Sequence, residues 1–171
     1  QSGFTNSDKY LELSLSNPVL LAIIALRSKI YSQMKISHLN SAGKPIENSE
    51  ILKLFKQPNY FQSQEDFLFQ QMWFLSANGT NLTYKVDALS VTKAIYNLLP
   101  SEIDLNNTHK VKSFVYTKAE LKSYGDRKIK YSLDGQSIDI SIKDLIPTYD
   151  LTNGLTCNSL MSSPSRLKGI S

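Results

Sequence analysis

The chain has 171 residues, 19 Lys and Arg against 15 Asp and Glu, 41% apolar and 20% charged residues. These proportions exclude a disordered or fibrous chain and suit one folded domain, able to bury roughly two thirds of the surface it exposes when unfolded. The net charge of +4 is scattered, without the concentrated Lys and Arg stripe that a duplex-binding groove requires.

The first fifteen residues are mostly polar, and Leu11, Leu13 and Leu15 alternate as in an arm or edge strand. Asn17 is a good N-cap and Pro18 suits the first helical position, so a helix is predicted from Pro18 to about Lys35. Val19, Ile23, Leu26, Ile30 and Met34 fall at helical spacing along it. Leu20, Leu21, Ile24 and Ala25 widen the apolar face, which calls for cover on more than one side, from the chain's own core or from another subunit. The apolar run from Pro18 to Leu26 is too short to span a bilayer, is followed at once by Arg27 and Lys29, and has no basic segment before it, so neither a membrane anchor nor a signal peptide is expected.

Gly43 and Pro45 mark a connection, after which Asn48 or Ser49 caps a short helix that Pro58 ends. Ser63 caps a third helix, with Asp66 in a box-like position and Asn78-Gly79 as its stop. Phe67, Gln70 or Gln71, Phe74 and Leu75 trace one side of it, widened by Met72 and Trp73. Beyond Gly79 the period changes to two: Leu82, Tyr84 and Val86 alternate with Thr83, Lys85 and Asp87. Ile95 to Leu99 and Val111 to Thr117 also read as extended, and 128–133 with 136–142 form a hairpin about Asp134-Gly135. Leu145 and Ile146 lead into a connection containing Pro, Asn and Gly, and Ser163-Pro164 opens a further helix over 163–171. The fold expected is α+β in a single domain over 1–171: about three N-terminal helices (17–78) packed on a largely antiparallel sheet of short strands (80–147).

No phosphate-binding glycine loop, nucleophile elbow, His-Glu-x-x-His or Cys-x-x-Cys occurs, so no catalytic, cofactor or metal residue is assigned. The lone Cys157 has no disulfide partner or metal-ligand neighbour in the chain, which implies a reducing compartment. His38 and His109 are far apart and read as surface histidines. Glu65/Asp66 belong to a helix N-terminal turn, and Glu102/Asp104 and Asp139/Asp144 to solvated strand ends. The basic residues from Lys110 to Lys130 suit a solvated strand face, and the Asn-x-Ser/Thr triplets at Asn78, Asn81 and Asn106 are chance matches. Tyr60, Phe61, Phe67, Phe69, Trp73 and Phe74 gather around one helix, where packing and subunit contact explain them better than single-stranded nucleic acid, because few basic residues lie beside them.

Taken together, several segments resemble the portal proteins of long-tailed bacteriophages. They are the apolar helix from Asn17-Pro18-Val19, Lys56-Gln57-Pro58-Asn59, the aromatic helix from Ser63, and Gly79 leading into Leu82-Thr83-Tyr84-Lys85-Val86. Leu98-Leu99-Pro100-Ser101-Glu102-Ile103, the hairpin with Tyr131, Asp144-Leu145-Ile146 and Ser163-Pro164 continue the likeness in the same order. The chain differs from the family pattern at Gly79-Thr80-Asn81-Leu82, at Pro147 and at Met161 to Ser165.

The resemblance implies the outer wing region at the N-terminal end of a longer protein, part of a homo-oligomeric ring of usually twelve copies at the capsid vertex. DNA would pass through that ring in packaging and ejection with little base-specific contact. Capsid and terminase would be partners of the full-length protein, ATP hydrolysis would belong to the motor, and no membrane is implied. Such a virion protein, also found in prophages, would be made in the bacterial cytoplasm. Subunit contacts are expected on the Leu20, Leu21 and Ile24 face and on Phe69 and Trp73. Two other readings are a non-catalytic binding or assembly module of a cellular or mobile-element protein, and an enzyme of unfamiliar class.

Overall fold

The structure is a computed structural model and describes residues 15–99, 103–104, 128–133 and 135–149, together with Glu12. Leu11, Leu13, the strand expected at 111–117, the basic stretch before Lys128, His109, Glu102, Asn106, Cys157 and the helix expected from Ser163 lie outside these residues.

Helix α1 (Pro18–Ser32) begins where its cap chemistry places it: the Asn17 side chain accepts from Val19 N–H at 3.0 Å and Leu20 N–H at 3.2 Å, with Pro18 in the first turn. It ends three residues before the expected Lys35, where the Gln33 N–H turns back to the Ile30 carbonyl. Leu15 and Ser16, just before it, are helical and not an extended arm. Ser49, not Asn48, caps α2 (Glu50–Lys56) through its side chain at 3.1 Å from Leu52 N–H. Ser63 and Asp66 form a full capping box on α3 (Gln64–Asn78), which stops at Gly79 in the left-handed conformation (φ 74°) that favours glycine.

Among the described residues six strands follow: β1 (Thr80–Ala88), β2 (Val91–Leu98), β3 (Ile103–Asp104), β4 (Lys128–Leu133), β5 (Gln136–Ser141) and β6 (Leu145–Tyr149), the last two joined by a 3-10 turn (Ile142–Asp144). The fold is α+β, with the strands divided between two antiparallel sheets in the orders β2-β1-β6 and β3-β4-β5. Leu133 and Gln136 close the β4–β5 hairpin, and Gly135 (φ 74°) supplies its left-handed turn residue. Beyond Ile146, where a connection is expected, the chain instead continues as strand through Pro147, opposite Leu82, to Tyr149. This is allowed because β6 is an edge: Thr83 and Asn81 turn their main-chain groups toward β6, so by alternation Pro147 occupies a position whose nitrogen faces away from the ladder.

The elements stack in four layers. α1 lies on α3 through the buried row Ile24, Ser28 and Ser32, whose small serines let the two helices approach closely. The other side of α3 covers one face of the first sheet, where Phe67 and Leu68 meet Ile95. The second sheet covers the opposite face, with Leu82 and Leu98 against Ile129 and Ile140 and with Tyr84, Tyr131, Ile142 and Leu145 around them. α3 is therefore enclosed nearly all round: Phe67, Leu68, Met72, Phe74, Leu75, Ser76 and Ala77 are all buried.

The alternation in β1 reads Thr83 as outward-facing, and the structure corrects this. Asn81, Thr83 and Asn97 face α3 and are buried, because this sheet is covered on both sides. They bond one another: the Asn81 amide donates to Thr83 Oγ1 (3.1 Å) and Asn97 Oδ1 (3.0 Å), and the Thr83 hydroxyl donates to Asn97 Oδ1 (3.0 Å), while the enclosed Asn81 Oδ1 accepts no hydrogen bond. Asn81, in one of the three chance triplets, is wholly enclosed in the folded chain.

Candidate assembly surface

The five residues whose spacing marks the predicted apolar stripe of α1 lie on its solvent side. Val19, Ile23, Leu26, Ile30 and Met34 are between 50% and 64% exposed, while Ile24 is 0% exposed. The two rows sit about 160° apart around the helix axis. The serine-containing row wins the interior because it permits close helix contact, and the larger side chains are left outside. They amount to roughly 500 Å² of mostly apolar surface, comparable with the largest patch on a typical monomer. α1 contains no acidic residue, and Lys29 is held across to Glu65 of α3 by an ion pair.

Of the expected contact residues, Ile24 is sealed inside the chain and has no surface to present to a second copy; Ile23 beside it does. Leu20 and Leu21 are half-buried at the rim of the α1–α3 contact. Phe69 and Trp73 are half-buried on α3, their rings 5.7 Å apart and tilted by 33°. The structure brings Leu20, Leu21 and Ile24 to one side of α1 and Phe69 with Trp73 to one side of α3, and it leaves the Val19 to Met34 stripe as the larger uncovered surface.

A second exposed apolar feature lies in the loop between α2 and α3. Asn59 is buried and organises it: its Oδ1 accepts from Gln62 N–H (3.0 Å) and Phe61 N–H (3.3 Å), and its Nδ2 donates to Gln62 Oε1 (2.8 Å) and the Ile95 carbonyl (3.0 Å). Gln57 Nε2 donates to the Asn59 and Gln62 carbonyls, and Ile95 N–H donates to the Pro58 carbonyl at 2.8 Å. This network fixes the loop to the edge of β2, yet it holds Tyr60 at 87% and Phe61 at 60% exposure. Phe61 meets Tyr60 edge to face at 4.7 Å and Tyr96 of β2 at 5.8 Å.

A third feature is the β1–β2 turn, where Leu89 and Ser90 both have positive φ (52° and 63°) and Leu89 is almost fully exposed. Two successive left-handed residues fit a tight hairpin turn, but neither is the glycine or asparagine that adopts it without cost. Just below, the Lys85 ammonium donates to Asp87 and approaches Asp144 at 3.7 Å, while Asp87 also accepts from the Thr92 hydroxyl at 2.7 Å. Lys85 is raised above the ordinary lysine value, chiefly by its hydrogen bond to Asp87, and Asp87 is lowered by Lys85 and Thr92. These charges pin the turn to the body of the sheets.

His38 is half-buried, with its Nδ1 enclosed and its carbonyl accepting from Ile46 N–H at 2.7 Å. Asp66 belongs to the capping box, and Glu65 pairs with Lys29. Asp139 is exposed. Among the described residues, no three His, Cys, Asp or Glu side chains converge where a metal ion could be held, and no helix is long and apolar enough to cross a membrane.

No protein-family model matches the sequence, and no curated protein matches it. Solved structures do match. A chain in the neck of an empty gene transfer agent particle computed with C6 symmetry aligns at TM-score 0.66 and 12% identity, covering 96% of this chain and 41% of its own length. A chain of the native gene transfer agent virion aligns at TM-score 0.64 and 12% identity, over 96% of this chain and 40% of its own. A chain in the neck of the native particle computed with C12 symmetry aligns at TM-score 0.58 and 12% identity, over 86% and 38%. This chain thus spans about two fifths of the length of the structures it matches and shares their fold over nearly its whole extent.

Proposed function

We propose that this chain is a structural subunit of a phage-like particle, the wing region of a portal protein whose copies form the ring at the capsid vertex. The observation that carries the reading is the shared fold over 96% of the chain with a component of a particle neck computed with rotational symmetry. The exposed α1 stripe is compatible with it, because a contiguous apolar patch of this kind is often a contact surface. The role is mechanical: the subunit forms and positions the ring, and no residue performs a reaction. In the whole protein, capsid and terminase are the neighbouring partners, DNA moves through the ring during packaging and ejection with little base-specific contact, and the motor hydrolyses ATP. The particle is assembled in the bacterial cytoplasm.

The test is native mass spectrometry with negative-stain microscopy on the whole protein across a range of concentrations. Closed rings of uniform subunit number are expected. A strictly monomeric species at every concentration would overturn the reading.

A further inference from the structure

The ties that hold the first sheet stop at one level of the β1–β2 hairpin. On the β1 side, β6 pairs from Thr80 to Tyr84 and no further. One residue on, the Lys85 ammonium approaches Asp144 of the 3-10 turn at 3.7 Å. On the β2 side, the Pro58 carbonyl accepts from Ile95 N–H at 2.8 Å and the Asn59 amide donates to the Ile95 carbonyl at 3.0 Å. Lys85 and Ile95 are register partners, so both flanks are last gripped at the same rung.

Beyond that rung β1 and β2 pair only with each other among the described residues. Burial changes at the same place: Asn81, Leu82, Thr83, Ile95, Asn97 and Leu98 are buried, whereas no residue from Val86 to Ala94 is. Neither core cluster includes a member of that stretch. The ladder is also interrupted at its root, because Val86 faces Ala94 and Asp87 faces Thr92, which leaves Lys93 without an opposite. A segment with few buried apolar contacts and broken pairing opens at lower free energy than the core it leaves.

One side chain reaches across this root. Lys85 stands on the body side of the interruption and Asp87 on the far side, and the ammonium donates to Asp87 while also facing Asp144 of the body. Asp87 in turn accepts from the Thr92 hydroxyl at 2.7 Å, so the same carboxylate ties both strands of the far part. All three charged side chains are partly shielded from solvent, Lys85 most of all at 26% exposure. Helix α2 adds no second tie of this kind: its Glu50 is paired with Lys53 at 2.7 Å, and its carboxyl is lowered first by Lys53 and least by Lys93.

We propose that residues 86–94 form an arm that opens independently of the core, hinged at the rung of Lys85 and Ile95 and latched by Lys85 between Asp87 and Asp144. The arm carries the exposed Leu89 at its tip, so the tip can be displaced while both core clusters stay packed. This device belongs to the single chain and does not depend on the ring reading.

Hydrogen exchange on the full chain, at a concentration where it is monomeric, tests the arm when read at two opposed pairs of the same ladder, Val86 with Ala94 and Leu82 with Leu98. In the parent, the first pair should exchange at least roughly tenfold faster than the second. Lys85→Met keeps the length of the side chain and removes its charge. It should speed the first pair by roughly a further two- to fivefold and leave the second pair and the thermal midpoint unchanged. In about 1 M sodium chloride the parent should approach the rate of Lys85→Met, and the variant itself should not respond. Asp144→Asn should act in the same direction and less strongly, since Asp87 remains.

Equal exchange at the two pairs in the parent would overturn independent opening. A Lys85→Met variant that exchanges as the parent does, or that speeds both pairs alike, would overturn the latch. Failure of salt to loosen the arm of the parent would overturn it as well, whether or not either variant folds.

Discussion

The Asn97 side chain donates its Nδ2 hydrogen to the main-chain carbonyl of Phe67 at 2.9 Å, joining the first sheet to the first turns of α3 in the interior of the domain. Asn97 Oδ1 also receives Asn81 and Thr83, so one amide terminates three hydrogen bonds. Replacing Asn97 with Ala leaves a buried carbonyl, an amide and a hydroxyl short of partners. The expected loss is about 2–4 kcal/mol, read as a drop in urea midpoint at constant slope. A change below about 0.5 kcal/mol would mean that the network does not hold the layers together.

Neighbouring positions on α1 should behave oppositely. Ile24→Ala empties a site that is 0% exposed and should cost about 2–4 kcal/mol, whereas Ile23→Ala removes a half-exposed side chain and should cost less than about 1 kcal/mol. Equilibrium unfolding of the two variants at a concentration where the chain is monomeric decides which face is interior. Equal losses would contradict the assigned rotation of the helix.

The capping box at Ser63 and Asp66 carries a pH dependence. Hydrogen bonds from the Ser63 hydroxyl (2.6 Å) and its N–H (3.2 Å) hold the Asp66 carboxyl below the ordinary aspartate value. A lowered folded value means that the unfolded chain binds the proton more readily. The stabilisation is therefore complete above the unfolded value and is lost as pH falls through the folded one. Thermal melts should show Asp66→Asn less stable than the parent at about pH 7, with the gap closing as pH falls below the ordinary aspartate range. A gap that does not change with pH would exclude the carboxylate as its source.

At the β1–β2 turn, the double change Leu89→Asn with Ser90→Gly supplies residues that accept positive φ readily. Stability should rise by about 1 kcal/mol, measured as a higher denaturant midpoint. No gain would show that the backbone at this turn is not under strain.

Element boundaries were legible wherever a single side chain makes a single local bond. Asn17, Ser49, Ser63 and Gly79 each act on main-chain groups within four residues, so their identity and position suffice to locate a helix end. The choice of buried face on α1 was not legible. Two apolar rows compete there, and periodicity counts hydrophobic side chains, whereas the interior selected Ile24, Ser28 and Ser32 for closeness of approach. Two serines spaced four apart beside an isoleucine were the available signal. The same difficulty arose in β1, where polar residues at alternate positions normally mean solvent, and only the second cover layer, a long-range fact, turns Thr83 inward. The aromatic residues around Tyr60 and Phe61 were visible as a cluster of rings. That Tyr60 and Phe61 would point outward depends on Asn59 reaching Ile95 across 36 positions, which no local pattern encodes.

Pro147 has a consequence for a protein gathered at high local density. A strand border with unpaired donors invites other copies to add ribbon to ribbon, an open-ended growth that competes with any closed assembly. Among the described residues β6 is the outer strand of its sheet, and with a pyrrolidine ring opposite Leu82 this border lacks one of the hydrogens such growth would use. A proline at this place makes the border a poor template for an added strand.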